Sequence, residues 1–374
     1  MEKDNSIKLL FAGDFCCSQP DKLNVGGKLR LLIDSSDICE LNFEGPVPKG
    51  SQESPLIFFL EQNEDSPDWC VRNGFSIINF ANNHSFDFGE EGIKYTISKF
   101  ANKATVLGVG RWEDAYKVHY VDCRGKRLGY LALSSCDLSS LKSEYDNKEN
   151  IGCAWMWHPS IWKIIADAKT KCDYLFILPH AGVEYMSVPT PELRDLYHSF
   201  IDFGCDGVIA SHPHVPQGWE IYNQRPIIYS LGNFVFSKKT GMPPLWNNGL
   251  IVQLNCNDKE IGLEVFNTIY SKNIIDIDIS DFAKKLNNEL CSKLQVENYM
   301  HSVNDEIAKL YPKYEGWLLS GLSAAKIRPF TLKRFIKLLL TKHGNHRVAL
   351  HQLREESTRF VLTRFLKNDS KTVL

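Results

Sequence analysis

Short, continuously apolar segments alternate with helical patterns over the first 235 residues, and this alternation limits the fold more than any other feature. Runs without polar breaks are typical of strands in a sheet that is covered on both faces. Helix signals lie between several runs, at 89–100, 159–168 and 191–203. The sequence therefore predicts an α/β protein with helices layered on a sheet. The predicted strands are 7–12, 38–43, 75–80, 105–109, 128–133, 174–178 and 208–210.

The pattern changes beyond the last of these strands. Four further strand-like segments are separated by turns, which indicates an antiparallel or mixed stretch at 219–222, 226–230, 250–255 and 261–269. The polar segment 136–158 is predicted to be a surface loop. From residue 280 onward the chain has a helical and basic pattern. We therefore predict a catalytic domain over 1–275 and a helical, basic C-terminal extension over 276–374.

Composition narrows the class of protein. Of the 374 residues, 43% are hydrophobic and 24% charged, which excludes disordered and low-complexity chains. The 11 cysteines are odd in number and lack close pairs apart from Cys16 and Cys17, which is typical of a reducing compartment. The sequence shows neither a signal-peptide core nor a run of roughly 18 apolar residues. We expect a cytoplasmic protein, with peripheral membrane contact as the alternative.

Polar side chains that can bind metals or carry protons follow five of the predicted strands. The carboxyl ends of strands in an α/β sheet border the crevice in which ligands bind. We therefore expect these side chains to meet in one basin. In chain order they are Asp14, Glu44, Asn83 with His84 and Asp87, His180 with Glu184, and His212 with His214.

This set of donors indicates a transition-metal centre. Carboxylates combined with imidazoles suit Mn, Fe or Zn rather than Ca. Six or seven ligands exceed one tetrahedral shell, so two ions with a bridging carboxylate are expected. Two ions about 3.5–4 Å apart can activate a water and hold a phosphoryl group for in-line displacement. Each motif alone could be a turn, a helix cap or a buried histidine, and only their combination favours the metal centre.

These motifs together resemble the bacterial capsule-synthesis family named for CapA, also called the poly-γ-glutamate biosynthesis family. The family is similar in fold to calcineurin-like metallophosphoesterases. The resemblance therefore implies a layered metallophosphoesterase-like α/β/β/α sandwich with a C-terminal helical extension. It extends from residue 7 to 236 and includes Phe-Ala-Gly-Asp, Leu-Asn-Phe-Glu-Gly-Pro, Ala-Asn-Asn-His-Ser-Phe-Asp, His-Ala-Gly-Val-Glu, Ser-His-Pro-His and Leu-Gly-Asn-Phe-Val-Phe.

The resemblance implies a role for each motif residue. Asp14 would bind the first metal and Glu44 would bridge the two ions. Asn83 and His180 would bind the second metal, and His212 and His214 would be divided between the ions.

The resemblance also implies residues that act beside the metals. His84 would serve as a general acid or stabilise phosphate charge. Asp87 and Glu184 would complete the catalytic group by orienting its members. Asn233 is expected to hold the loop after its strand through bonds from its side chain to the backbone.

The chain departs from the phosphoesterase pattern in its first motif. Asp-x-His is replaced here by Asp14-Phe15-Cys16, so the first metal site is expected to be weaker or to be completed by another residue. Cys16 or Cys17 is either a soft ligand or a small buried side chain. The aromatic residue that usually follows the histidine at 180 is replaced by Ala181.

Three functional hypotheses follow. The first is a metal-dependent phosphoesterase-like hydrolase in capsule or exopolymer biosynthesis, which uses two metals to activate a water. Its substrate would be a small-molecule or polymer phosphate ester. The second is a non-catalytic accessory protein of polymer assembly with a structural or vestigial metal site. The third is hydrolysis of a non-phosphate bond by Asp14 and Glu44 as an acid/base pair.

The basic C-terminal segment 326–367 contains 11 Lys and Arg against only Glu355 and Glu356. One interpretation is an amphipathic helix for an anionic membrane, an anionic polymer or an acidic partner. The other is a helix that packs on the body and leaves its basic face in solvent. Capsule-assembly proteins are expected partners. Nucleic acid is not, because no recognition motif accompanies the charge.

Overall fold

The computed structural model describes residues 6–54, 59–135, 139–143, 149–237, 241–322 and 356–370. Two β-sheets face each other, and each carries helices on its outer side. The strands are β1 Ile7–Cys16, β2 Asn24–Val25, β3 Ile38–Phe43, β4 Phe75–Asn79, β5 Thr105–Leu107, β6 Val109–Gly110, β7 His119–Cys123, β8 Lys126–Ser134, β9 Ser140–Leu141, β10 Gly152–Ala154, β11 Tyr174–His180, β12 Gly207–Ile209, β13 Trp219–Tyr222, β14 Arg225–Ile228, β15 Asn233–Phe236, β16 Asn248–Cys256, β17 Ile261–Ser271 and β18 Ile274–Ile277.

The helices lie mainly between the strands and at the C-terminal end. They are α1 Gly27–Asp34, α2 Ser66–Arg72, α3 Gly89–Phe100, α4 Trp112–Ala115, α5 Ser160–Lys169, α6 Pro191–Asp202, α7 Asp281–Ser292, α8 Val296–Leu322 and α9 Glu356–Ser370, with a 3₁₀ turn at Pro20–Lys22.

The first sheet has nine strands in the order β2-β18-β17-β16-β1-β3-β4-β5, with β15 also paired to β1. The second has six strands in the order β13-β14-β12-β11-β8-β7, and β6, β10 and β9 form a small third sheet. Strands β1, β3, β4 and β5 are parallel, as are β8, β11, β12 and β14. The predicted antiparallel or mixed stretch is confirmed as mixed: β13 pairs antiparallel with β14, and β16 with β17, whereas β14 also pairs parallel with β12. Strand β18, which was not predicted, adds antiparallel to β17.

The core lies between the two sheets and continues under the helices on both sides. Phe11 of β1 meets Phe176 of β11 across the interface, with ring centroids 5.8 Å apart. On the other side of the first sheet, the ring of Phe43 in β3 packs edge-on against the ring of Phe100 in α3, with centroids 5.1 Å apart. A separate buried cluster joins the second sheet to α5, α6, α8 and α9. The predicted α/β/β/α sandwich is therefore confirmed.

A β-bulge in β1 bears directly on the site. The pairing of β1 with β3 shifts register between Ala12 and Asp14. Phe11 precedes the bulge and contacts Phe176 in the second sheet. Phe15 follows the bulge and stacks on Trp69 of α2, on the opposite side of the first sheet, with ring centroids 5.1 Å apart. A bulge changes the direction of the side chains that follow it. Asp14 lies at this change of direction.

The prediction of a surface loop over 136–158 was wrong for two parts of the segment. Residues Ser140–Leu141 form β9 and Gly152–Ala154 form β10, and both Cys153 and Ala154 are buried. The thiol of Cys153 donates to the backbone carbonyl of Asn82 at 3.5 Å. The segment therefore packs on the loop that carries Asn83, a contact that its local composition does not indicate. Residues 136–138 and 144–148 lie outside the described residues.

The described part of the C-terminal extension is helical and packs on the body. Val303, Ile307 and Val361 belong to the buried cluster beneath the second sheet. The rings of Tyr311 in α8 and Phe365 in α9 stack at 3.7 Å. Within the basic segment 326–367, residues 326–355 lie outside the described residues. The division between 1–275 and 276–374 falls inside β18 and stays a prediction. No helix in the described ranges is both long and apolar enough to span a bilayer.

Candidate metal centre

Asp14 is held at the bulge of β1 by backbone and side-chain bonds. Its N–H donates to the carbonyl of Gly232 at 3.0 Å, and its carboxylate is completely buried. The Asn42 amide donates to Oδ1 of Asp14 at 2.8 Å, and the backbone N–H of His212 lies 3.3 Å from Oδ2. A Cβ on the preceding Gly13 would lie 1.9 Å from the Gly232 oxygen, so only glycine allows this approach.

Glu44 follows β3 directly and presents to the same basin a carboxylate that makes no hydrogen bond within the described residues. The residue is fully buried, and neither Oε1 nor Oε2 has a hydrogen-bond partner among the described residues. Burial raises the pKa of Glu44 to about 8, with His214 opposing the shift and Asp14 adding to it. A buried carboxylate without hydrogen bonds is costly unless a proton or a cation compensates its charge. The position is therefore suited to a metal ligand.

The loop after β12 supplies two histidines in a strained backbone. His212 has φ of 104° and His214 has φ of 58°, in a region that side-chain-bearing residues rarely adopt. The carbonyl of Pro213 between them accepts from the N–H of Tyr185 at 2.7 Å. Nδ1 of His214 lies 3.0 Å from Oδ1 of Asn233. These contacts fix the loop backbone and the orientation of the His214 imidazole.

His180, the last residue of β11, joins a second group of donors. Its Nε2 lies 2.9 Å from Oδ1 of Asn83 and 3.1 Å from Nδ1 of His212. Its Nδ1 lies 3.2 Å from Oγ of Ser211. Burial, together with the neighbouring imidazoles of His212 and His214, holds the pKa of His180 well below its usual value. A neutral imidazole is the form that binds metals.

The two groups of donors form one buried basin. Donor atoms of Asp14, Glu44 and His214 all lie within 4.8 Å of one another. Nε2 of His180 lies 4.0 Å from Oε1 of Glu44, and Nε2 of His214 lies 3.6 Å from the same oxygen. Glu44 therefore stands near both groups, as a bridging carboxylate would. All six predicted metal residues are brought together: Asp14, Glu44, Asn83, His180, His212 and His214.

The spacing of these donors fits divalent ions. Ligand atoms at about 2.0–2.2 Å from one ion stand roughly 3–3.6 Å apart in ordinary coordination geometry. The His180–His212 separation of 3.1 Å and the His214–Glu44 separation of 3.6 Å are in this range. The donor set of imidazoles, carboxylates and one amide oxygen suits Mn, Fe or Zn.

His84 and Asp87 form an ion pair at the edge of the basin. Nδ1 of His84 lies 2.6 Å from Oδ2 of Asp87, and the His84 side chain is 20% exposed. Asp87 also accepts from the backbone N–H of Leu60 at 2.6 Å. Burial lowers the pKa of His84, but the Asp87 carboxylate outweighs this effect and raises it to about 9. The imidazole is therefore protonated at neutral pH, which suits a proton donor or an anion-binding group.

Glu184 lies within the electrostatic field of the two metal-site histidines rather than among the clustered donor atoms. Burial opposes its ionisation, but the positive charges of His214, His212 and Lys313 lower the pKa of its carboxyl. Its side chain also hydrogen-bonds to Tyr185. Glu184 therefore adds negative charge beside the histidines of the basin, and its predicted role of orienting the metal ligands stays a prediction.

Two buried amides that the sequence analysis did not select support the ligands. Asn42 donates to Asp14, as described above. Gln62 donates to the carbonyls of Phe15 and Glu44 at 2.6 and 3.1 Å and accepts from the N–H of Cys17 at 3.1 Å. Asn42 lies two residues before Glu44 in the same motif, so its position in the sequence could have indicated that it supports the metal site. Gln62 follows no strand, and no local signal identifies it.

The structure bears on two predictions: whether Cys16 is a soft metal ligand or a small buried side chain, and whether Asn233 bonds to the backbone. The thiol of Cys16 donates to the carbonyl of Glu61 at 3.7 Å and packs against apolar neighbours. The clustered donor group in the described residues includes neither Cys16 nor Cys17, so both fit the small buried side chain. The amide of Asn233 donates to the carbonyl of Trp246 at 2.9 Å, which confirms the predicted bond to the backbone. Its contact with His214 was not predicted.

The chain is similar to several known proteins. The chain is 32% identical to the PGA biosynthesis protein CapA of Bacillus subtilis over 213 residues, 55% of each chain. It is 23% identical to a probable polyglutamine synthesis accessory protein of Mycobacterium tuberculosis over 225 residues, 56% of this chain and 58% of that one. It is similar to the solved 5′-nucleotidase of Candida albicans, with a TM-score of 0.43 and 11% identity over 82% of this chain and 58% of that one.

The chain thus spans only about half the length of the curated relatives it matches. The family described as bacterial capsule synthesis protein PGA_cap matches residues 8–238, which include every candidate metal ligand. The chain belongs to the bacterial capsule synthesis protein PGA_cap family.

Proposed function

We propose that this protein is a metal-dependent hydrolase of the phosphoesterase type that acts on a small-molecule or polymer phosphate ester. The observation that carries the proposal is the fully buried Glu44 carboxylate. Both of its oxygens lack a hydrogen-bond partner in the described residues, and it faces donors of Asp14, His214 and His180. Burying such a group needs compensation, which a proton on Glu44 and the His214 imidazole supply in the absence of metal and which a bound divalent cation would supply in their place.

The biological setting proposed is the biosynthesis of a capsule or related exopolymer. Membership of the capsule synthesis family supports this setting, as does the similarity to a relative named for PGA biosynthesis. An anionic polymer and capsule-assembly proteins are the corresponding proposed partners.

The roles of the residues follow from their positions. Asp14, Glu44 and His214 would hold one ion, and Asn83, His180 and His212 the other, with Glu44 between them. Bound ions of this kind supply a water of lowered pKa and neutralise phosphoryl charge. As the water oxygen bonds to phosphorus and the P–O bond to the alcohol breaks, protonated His84 would donate its proton to the leaving alcohol oxygen. Asp87 would keep that imidazole charged and fix its orientation.

A second candidate function is a non-catalytic accessory role in polymer assembly. The specific observation is Cys16, which occupies the usual histidine position of the first motif and bonds to a backbone carbonyl. Among the described residues, the first group of donors then contains three clustered residues, Asp14, Glu44 and His214. A relative named as a synthesis accessory protein points the same way.

Metal content and turnover together distinguish the two functions. We would measure both for the chelator-free protein and for His212→Ala, with bis(p-nitrophenyl) phosphate as substrate. His301→Ala is the matched control, because His301 lies on α8 with its side chain 80% exposed. We expect about two bound ions per chain in wild type and in the control, and fewer in His212→Ala. Turnover in His212→Ala should fall by about 100-fold or more, while the control keeps the wild-type rate. Absence of metal and turnover after reconstitution with Mn, Fe or Zn would favour the accessory role.

A further inference from the structure

Helix α8, in the C-terminal extension, brings a cation to the rim of the candidate metal centre. Nζ of Lys313 lies 3.7 Å from the centroid of the Tyr185 ring. That ring lies in turn 6.3 Å from the ring of His214, centroid to centroid. The family match ends at residue 238, so Lys313 reaches the site from outside the matched region.

Aromatic side chains form a wall beside His214. Its ring centroid lies 4.9 Å from that of Phe236 and 5.1 Å from that of Trp246. Tyr185 completes the wall, with its ring 6.2 Å from Trp246. Trp246 is only 4% exposed, and its indole Nε1 has no hydrogen-bond partner in the part of the chain that the structure describes. A buried donor without an acceptor is costly, and a bound ligand can supply the acceptor.

The charge of Lys313 acts on the same region. Burial opposes ionisation of Glu184, and Lys313 is among the cations that lower the pKa of that carboxyl. Lys313 is half-buried as a residue, and the Tyr185 ring covers one side of its ammonium. A partly desolvated ammonium held over an aromatic ring binds an anion more strongly than a freely solvated one.

We propose that Lys313, Tyr185 and Trp246 form a substrate-positioning subsite for an anionic group that the substrate carries away from its reacting phosphate ester. This inference rests on the proposed function, because it assigns a substrate class to the same centre. Lys313 supplies a charged hydrogen bond, and the aromatic wall supplies contact area and one indole donor. A substrate with repeated carboxylates or phosphates fits this arrangement, whereas a phosphate ester of a simple alkyl alcohol, with no charge beyond its reacting phosphate, leaves it unused.

The test uses matched p-nitrophenyl phosphodiesters whose second alcohol ends in a methyl group, a carboxylate or a phosphonate. The second and third esters distinguish carboxylate from phosphate as the preferred anion. The variants are Lys313→Gln, Lys313→Arg and the control Lys309→Gln. Lys309 lies four residues earlier on α8, is exposed, and has Nζ 3.3 Å from Glu306. Steady-state kinetics, equilibrium titration with each ester and metal content are measured for every protein.

We expect Lys313→Gln to raise KM for the carboxylate and phosphonate esters about five- to tenfold, with kcat and metal content unchanged. KM for the methyl-terminated ester should change less than about twofold, and Lys313→Arg and Lys309→Gln should resemble wild type. If no ester is hydrolysed but Lys313→Gln still removes the preference for the carboxylate and phosphonate esters in the titration, the subsite stands and the hydrolase fails. Equal effects on all esters, no effect, or a loss of metal in Lys313→Gln would overturn the proposal.

Discussion

Nε2 of His214 lies 3.6 Å from Oε1 of Glu44, and both side chains are buried. This separation is too long for a direct hydrogen bond but is typical of two ligands on one ion. Burial raises the pKa of Glu44 to about 8. Burial lowers the pKa of His214, but the Glu44 and Asp14 carboxylates raise it to about 10. The pair therefore holds protons near neutral pH that a metal must displace.

Metal binding should release protons, and its affinity should rise with pH. Each proton released makes the affinity increase by about tenfold per pH unit below the pKa of the group concerned. Titration calorimetry with Zn or Mn between about pH 6 and 8, in buffers of different ionisation enthalpy, would count these protons. Glu44→Gln should bind metal more weakly and release fewer protons. An affinity independent of pH would contradict the assignment.

Asn233→Ala should weaken metal binding without removing a ligand. Asn233 contacts Nδ1 of His214 through Oδ1 and donates to the Trp246 carbonyl through Nδ2. Loss of a residue that orients a metal-binding histidine costs about 10- to 100-fold in affinity. The unpaired Trp246 carbonyl should lower the free energy of unfolding by about 1–3 kcal/mol. Urea unfolding and metal titration measure the two effects, and an unchanged metal affinity would exclude the orienting role.

Asp87→Asn should shift the pH dependence of turnover. The Asp87 carboxylate raises the pKa of His84 against the effect of burial, so its removal lowers that pKa from about 9. The protonated imidazole is the active form in the proposed mechanism. The alkaline limb of log kcat should therefore move to lower pH by about 1–2 units. The variant should keep its local structure, because the amide oxygen of Asn can still accept from the Leu60 N–H. An alkaline limb that does not move would show that His84 is not the proton donor.

The same ion pair makes stability depend on pH. Because folding raises the pKa of His84, its contribution is complete below the unfolded value of about 6.5. It is lost as the pH rises through the folded value of about 9. In the metal-free protein, Asp87→Asn should therefore lower the free energy of unfolding more at pH near 6 than at pH near 10. Urea unfolding at the two pH values tests this, and an equal loss at both would contradict it.

Gly13→Ala should disrupt the position of Asp14. Its Cβ would lie 1.9 Å from the Gly232 carbonyl oxygen, a backbone atom that cannot move away as a side chain can. We expect a loss of about 2 kcal/mol or more in the free energy of unfolding, together with weaker metal binding. Gly27→Ala in α1 is the control, since a Cβ there has no atom within 4 Å. It should be neutral or stabilising by up to about 1 kcal/mol. Thermal unfolding compares the two, and a neutral Gly13→Ala would refute the steric argument.

The sequence by itself determined the layered α/β architecture and the side chains that line the centre. The strand predicted over 38–43 and the helix predicted over 89–100 match β3 and α3 in the structure. Apolar continuity and the residues at strand ends are local properties, and they are readable without three-dimensional contacts. Asp14, Glu44 and His180 converge because parallel strands in two facing sheets present their carboxyl ends to one basin.

Only the tertiary structure decided how these residues are held and what else reaches them. The left-handed backbone at His212 and His214 depends on distant partners such as the Tyr185 N–H and Asn233. Gln62 acts on backbone carbonyls 47 and 18 residues away in the chain. Lys313 meets Tyr185 only because α8 packs beneath the second sheet. Such contacts join residues far apart in sequence, and the packing of the whole chain, rather than any local pattern, determines which side chains meet.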